Sequence, residues 1–228
     1  MTTVTWYGHA VFAISHENTV LLVDPFLTGN PMAAVAADDL NPTAILVTHG
    51  HSDHLGDAFQ ISQRTDAPIV AAYELGLYLE AKGARVIPGN IGGTVAAGSA
   101  TVKFVSAVHS STVDDNGAFV AASVPSGFVV RLGGRTIYVA GDTALFQDME
   151  LIGEEGLDVA ILPIGGQYTM DVADAVKAVV KLRPKIVIPG HYNTFPTIAA
   201  DPIAFAEAVA AATRVTTVVL EPGQSTEI

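Results

Sequence analysis

The sequence predicts an α/β fold, a four-layer αββα sandwich: two mixed sheets packed face to face, with helices outside. Three observations lead there. Short β-branched runs of strand length recur along the chain, each punctuated by glycine, proline or acidic turns. Segments with helical spacing lie between only some of them. A strand-only stretch followed by a strand–helix stretch occurs twice.

Thr2–Trp6, Val11–Ser15 and Val20–Asp24 read as hairpin strands, turning through Gly8 and the Glu17-Asn18 pair. Ala44–Thr48, Ile69–Ala72 and Arg85–Ile87 alternate with helical candidates at Asp57–Arg64 and Tyr73–Lys82. Thr101–Val108, Gly127–Leu132 and Thr136–Ala140 form a second hairpin group, the last two joined at Gly133-Gly134. Val159–Pro163, Ile186–Pro189 and Thr216–Leu220 again alternate with helices. In Asp171–Lys181, Val172, Ala175, Val176, Val179 and Val180 share one face. Asp201-Pro202 opens another helix, with aspartate at the cap and proline at the first helical position. No linker, low-complexity segment or short repeat interrupts residues 1–228, so one domain is expected.

A 228-residue chain that is 50% hydrophobic supports a substantial core. Its net charge of −12 comes from 11 basic and 23 acidic residues, and the basic ones are dispersed. Nucleic-acid binders carry a basic stripe that displaces counterions, so no nucleic-acid partner is expected. The absence of cysteine excludes disulfides and thiolate ligands. No signal-like start and no apolar run of about 20 residues is visible, so the expectation is a cytoplasmic protein with no membrane partner.

The chemistry concentrates in Val-Thr-His-Gly-His-Ser-Asp-His-Leu-Gly, residues 47–56. In extended backbone alternate residues project to one side, so His49 and His51 can bind one ion together. Gly50 and Ser52 let the loop turn tightly, and Asp53 and His54 can then face a second ion. Four ligands from one segment cannot complete two ions, and three later strand ends offer more. His109 follows Val102–Val108, Asp142 follows Ile137–Gly141, and His191 follows Ile186–Gly190. Strand ends are where α/β enzymes place functional groups. Imidazole and carboxylate ligands suit two divalent ions, zinc first, with manganese or iron as alternatives.

The ordered set His49-Gly50-His51-Ser52-Asp53-His54, His109, Gly141-Asp142-Thr143 and Pro189-Gly190-His191 resembles the motifs of the metallo-β-lactamase superfamily. The resemblance implies His49, His51 and His109 on one metal, Asp53, His54 and His191 on the other, and Asp142 bridging. A bridging carboxylate partly neutralises two cations about 3.5–4 Å apart. Trp6-Tyr7-Gly8-His9, Asp24-Pro25-Phe26-Leu27-Thr28-Gly29-Asn30-Pro31 and His191-Tyr192-Asn193-Thr194-Phe195-Pro196 are similar to a branch of small metal-dependent hydrolases related to L-ascorbate-6-phosphate lactonase. Homo-oligomerisation is also implied by that resemblance.

The expected activity is hydrolysis of a small ester, lactone or phosphodiester by a metal-bound hydroxide. Asp53, a ligand that also meets the water, is expected to orient it and shuttle its proton. Asp24 is expected to hydrogen-bond the His49–His54 loop from behind, and His9 to border the site. Tyr168, Thr169, Met170, Tyr192, Asn193, Thr194 and Phe195 are the expected substrate contacts, from the loops nearest the ligands. No lysine or arginine lies in those loops, and Arg183 and Lys185 precede the strand that leads to His191. A phosphate there would lack a cationic clamp. The competing readings are a nuclease-like phosphodiesterase, a thioesterase, and a non-catalytic metal-binding scaffold in a homo-oligomer.

Overall fold

The computed structural model describes residues 1–228. β1 (Thr2–Gly8), β2 (Val11–His16) and β3 (Thr19–Val23) form an antiparallel meander. Burial alternates strictly along β1, which turns Val4 and Trp6 into the core. β4 (Ala44–Leu46), β5 (Ile69–Ala72) and β6 (Val86–Gly89) then add in parallel. α1 (Ser52–Leu55) and α2 (Ala58–Thr65) connect β4 to β5, and α3 (Tyr73–Ala81) connects β5 to β6. Every residue of β4 and β5 is buried, as expected for parallel strands covered on both faces.

The plan then repeats. β7 (Thr94–Ala97), β8 (Ala100–Ser106), β11 (Ser126–Leu132) and β12 (Arg135–Val139) are antiparallel. A separate hairpin of β9 (Val113–Asp115) and β10 (Ala118–Val120) stands between β8 and β11. Gly133 and Gly134, both at positive φ, make the two-residue turn between β11 and β12. After α4 (Met149–Gly153), β13 (Val159–Pro163), β14 (Ile186–Gly190) and β15 (Thr216–Thr217) pair in parallel through α5 (Val172–Leu182) and α6 (Pro202–Ala212).

Two seven-stranded mixed sheets result, as the sequence predicts. Trp6, Phe12 and Ile14 of the first pack in one core with Phe104, Phe128 and Tyr138 of the second. α2 and α3 cover the first sheet through Ile61, Leu75 and Leu79, while α5 and α6 cover the second through Val179, Leu182, Phe205 and Val209. No helix is long and apolar enough to cross a membrane.

Several boundaries differ from the sequence reading. Ala44–Thr48 stops at Leu46, because the Thr48 N–H donates to the Asp24 carboxylate instead of to a neighbouring strand. Thr216–Leu220 shortens to Thr216–Thr217, since the chain then turns back across the molecule. That return forms β16 (Ser225–Glu227), which pairs with β1 and joins the end of the chain to the first sheet. β7, β9, β10 and β16 are only three or four residues long, so periodicity carries little signal for them.

Both long outer helices start at aspartate caps. Asp171 accepts from Asp174 N, and Asp201 accepts from Ile203 N and Ala204 N ahead of Pro202. Losing such a cap costs about 1 kcal/mol. Asp201→Ala is therefore expected to lower the melting midpoint by about 2–4 °C. An unchanged midpoint in thermal unfolding would show that the cap contributes nothing.

The topology decides where chemistry gathers. β1, β3, β4, β8, β12 and β14 all run the same way within their sheets. Their carboxyl ends therefore deliver His9, Asp24, His49, His109, Asp142 and His191 to one edge of the sandwich.

Candidate metal centre

The donors converge in three overlapping groups: His49, His51 and His109; His9, Asp53, His54 and His191; and His49, His54 and Asp142. Within each group the ligand atoms lie within 4.8 Å of one another. Donors about 2.0–2.2 Å from one ion stand at most about 4.4 Å apart, so each group closes around an ion with small shifts. His49, His54, Asp142 and His191 are buried, while His51, Asp53 and His109 are half-buried and form the mouth.

Asp142 stands where the groups meet. Its Oδ1 lies 3.2 Å from His54 Nε2, and its Oδ2 lies 3.2 Å from His191 Nε2 and 3.5 Å from His109 Nε2. Yet His54 Nε2, Asp142 Oδ1 and both His191 ring nitrogens are buried without a hydrogen-bond partner. Unpartnered buried polar atoms are rare and costly, and here His54 Nε2 and His191 Nε2 both face the Asp142 carboxylate. Lone pairs arranged this way fit a shared cation rather than a protein-only network.

Charge points the same way. Burial opposes charging of His54, but Asp142 and Asp24, one against each ring nitrogen, outweigh it and hold its pKa well above the ordinary value. Burial also raises the Asp142 carboxyl, and the neighbouring His54 and His191 outweigh that and hold it well below the carboxylate range. His49 and His109 are pushed down, chiefly by burial, which favours the neutral imidazole a metal requires. The cluster thus calls for positive charge beside Asp142, which a bound cation would supply.

A layer behind the donors aims them. Asp24 is fully buried and accepts from Thr48 N at 2.8 Å, Thr48 Oγ1 at 2.7 Å and His54 Nδ1 at 2.8 Å. The last bond leaves His54 Nε2 facing Asp142. His49 Nδ1 meets Thr48 Oγ1 at 3.0 Å, which turns its Nε2 toward His51 Nδ1, 2.9 Å away. Gly141, at φ +60°, lies so close to Thr48 that an added Cβ would sit 2.8 Å from that side chain. Asp142 on the second sheet and His49 on the first are thereby held together.

His9 comes closer than the sequence suggests. Its Nε2 lies 3.3 Å from Asp53 Oδ2, its Nδ1 lies 2.8 Å from Thr194 Oγ1, and its ring centre is 4.1 Å from that of His191. Burial pushes its pKa down to about 4, so near neutral pH a single proton bridges to Asp53 and Nδ1 accepts from Thr194. Burial would raise the Asp53 carboxyl, but His9 and His54 hold it well below the usual range. His9, Asp24 and His191 all sit at positive φ, a strain that clusters at functional sites.

Other residues of this layer carry no sequence signal of their own. The Thr143 hydroxyl accepts from Val108 N at 3.0 Å, tying the His109 segment to the Asp142 turn. The Ser111 hydroxyl accepts from Gly50 N at 3.0 Å, and Ser110 Oγ lies 3.4 Å from His51 Nε2.

The expected substrate contacts need correction. Met170 is buried in the main core, and Tyr192 is buried against Trp6, with ring centres 5.2 Å apart. Neither side chain is available to a ligand, because apolar residues beside strand ends fold inward to cover the core. Asn193 spends its Oδ1 on Ala200 N, 2.9 Å away, within its own loop. Thr194 is buried and serves His9. Phe195 does border the site, edge-on to His9 at 6.0 Å and beside Phe26 at 6.5 Å. Tyr168 is exposed and Thr169 half-buried.

An αββα sandwich with this His/Asp cluster at its strand ends defines a metallo-β-lactamase-type protein. Residues 3–191 match the family model described as a beta-lactamase superfamily domain. The chain is 47% identical over 227 residues to a UPF0173 metal-dependent hydrolase of Archaeoglobus fulgidus, covering 98% of each. It is 50% identical over 209 residues to one from Thermoplasma volcanium, covering 91% of each. In structure it is similar to Igni18, a metallo hydrolase from Ignicoccus hospitalis, with a TM-score of 0.90 and 36% identity over 100% of this chain and 99% of that one. The chain belongs to the UPF0173 metal-dependent hydrolase family of the beta-lactamase superfamily.

Proposed function

We propose that this chain is a hydrolase with two divalent ions, zinc first and manganese or iron as alternatives, acting on a small ester or lactone. The observation that carries this reading is Asp142, one buried carboxylate within 3.2–3.5 Å of His54, His109 and His191. His49, His51 and His109 would hold one ion, and Asp53, His54 and His191 the other, with Asp142 between them. Ions held there would supply a coordinated water with a pKa nearer neutrality and a Lewis acid for the scissile carbonyl.

The chain's own groups do the rest. Asp53 stays ionised and is fixed by the His9 Nε2–H at Oδ2, so its Oδ1 is free to accept the proton of the attacking water. His9 is a positioning residue: the ionised Asp53 carboxylate, which can only accept, sets its tautomer with the proton on Nε2, and Thr194 holds its other face. Phe26 and Phe195 shield that side of the site from water. Of the 11 basic residues, only Arg183 and Arg214 lack an acidic partner, and both line a cavity formed by the ends of α5 and α6 and the segments that follow them. No free cation is therefore left at the donor cluster to grip a polynucleotide or a sugar phosphate, which weighs against both.

The test compares chelator-stripped protein with protein refilled with zinc or manganese on a phosphodiester, a lactone, a carboxylic ester and a thioester. Turnover restored by metal on the ester or lactone is the expected result. Metal binding without turnover on any of the four would overturn the hydrolase reading in favour of a scaffold.

A further inference from the structure

We propose that an apolar trough beside His109 is the acyl subsite of this enzyme, and that it takes an uncharged ester with a medium-length alkyl chain. The inference rests on the hydrolase reading above and names its substrate class. The trough has a volume of about 540 Å³, and His109 is part of its wall. Ile91, Val108 and Val124 line it while remaining 41%, 51% and 53% exposed. Phe146 forms its floor, packed from below against the main core. Large apolar side chains left open along one wall of a cleft mark a binding surface, and this volume is typical of small-molecule sites.

The trough continues away from His109. Ile91, Phe146 and Asp148 also line a second cavity of about 170 Å³, where Leu151 is 61% exposed. An extended chain starting at the donor cluster thus has apolar contacts along both cavities. The one cation in these walls, Lys103, is held by Glu155 at 2.5 Å, while Asp148 faces the cavities without a basic partner. An anionic tail would meet that carboxylate and gain no ion pair. A larger cavity, about 710 Å³ between α5 and α6, has none of the proposed metal donors in its wall. It cannot present a scissile bond to the cluster.

In the reaction, water adds its oxygen to the acyl carbon and the acyl C–O bond breaks. The leaving alkoxide takes one proton of the water, and the carboxylic acid loses the other while its alkyl chain lies in the trough.

The test has two arms on zinc-loaded protein. Calorimetry measures binding of butanoate and octanoate, the products; kinetics follow hydrolysis of p-nitrophenyl acetate, butanoate and octanoate. Each fully buried methylene is worth up to about four-fold in affinity. Octanoate is expected to bind at least about ten-fold more tightly than butanoate, and the esters to rank the same way in kcat/KM. Val124→Asp should reduce that preference to below about three-fold at unchanged metal content, whereas Ile203→Ser, an exposed apolar site on α6, should leave it intact. Equal affinity for the two alkanoates overturns the trough even where esters are hydrolysed. So does a Val124→Asp variant that changes only the oligomeric state. Chain-length-dependent alkanoate binding without ester turnover keeps the trough and removes the hydrolase reading.

Discussion

Asp142→Asn is expected to strip at least one ion from the protein and to lower kcat/KM by more than about 100-fold. Losing a group that only supports a metal ligand costs 10–100-fold, and Asp142 lies against the donors themselves. The substitution keeps volume and removes charge. His54 and His191 then face a neutral amide where a carboxylate now stands 3.2 Å from each. Two cations left with Asp53 as their one carboxylate ligand would lack the anion between them, so their mutual repulsion would go unscreened. Asn fits the same turn after Gly141, so the far-UV spectrum should remain native. Metal analysis after dialysis decides the matter: full metal content in the variant would remove Asp142 from the site.

Asp24→Ala should show a different signature, with loss of stability alongside loss of metal. Asp24 touches no other proposed ligand than His54, yet it satisfies three buried donors, two on Thr48 and one on His54. Each buried donor left without a partner costs about 1–3 kcal/mol, and relaxation makes the sum less than additive. A loss of about 3–5 kcal/mol corresponds to a fall in midpoint of roughly 6–20 °C at this chain length. With its Nδ1–H unbound, His54 can rotate or change tautomer, and metal affinity should fall 10–100-fold. The stability loss should persist in chelator-treated protein, which separates Asp24 from a residue acting through the ion alone. Equal midpoints for variant and parent without metal would contradict this account.

The two variants also separate what is written locally from what is not. Asp142 was legible because an apolar run, a glycine and an acidic residue follow each other in Ile137–Asp142, and the same syntax precedes His191. Strands that run parallel within each sheet must end at one edge, so ligands placed after them converge without further instruction. The two partners of Asp24, Thr48 and His54, lie 24 and 30 positions away, and Asp-Pro alone reads equally well as a turn.

By itself, then, the sequence determined the layered architecture, the strand–helix order and the histidines and aspartates that gather at the strand ends. Those follow from local rules: hydrophobic period, turn residues and the glycines that let chains bend. Tertiary structure alone decided which loop side chains stay open and which are buried. Met170 and Tyr192 sit in ligand-proximal loops yet are buried, while Ile91 and Val124, remote from every motif, stand open beside His109. It also decided that His9 reaches Asp53, and that the last strand returns to β1. The physical reason is common to all three. Exposure and contact depend on what the opposite sheet, the neighbouring loop or the returning chain leaves uncovered, and no window of sequence contains that surface.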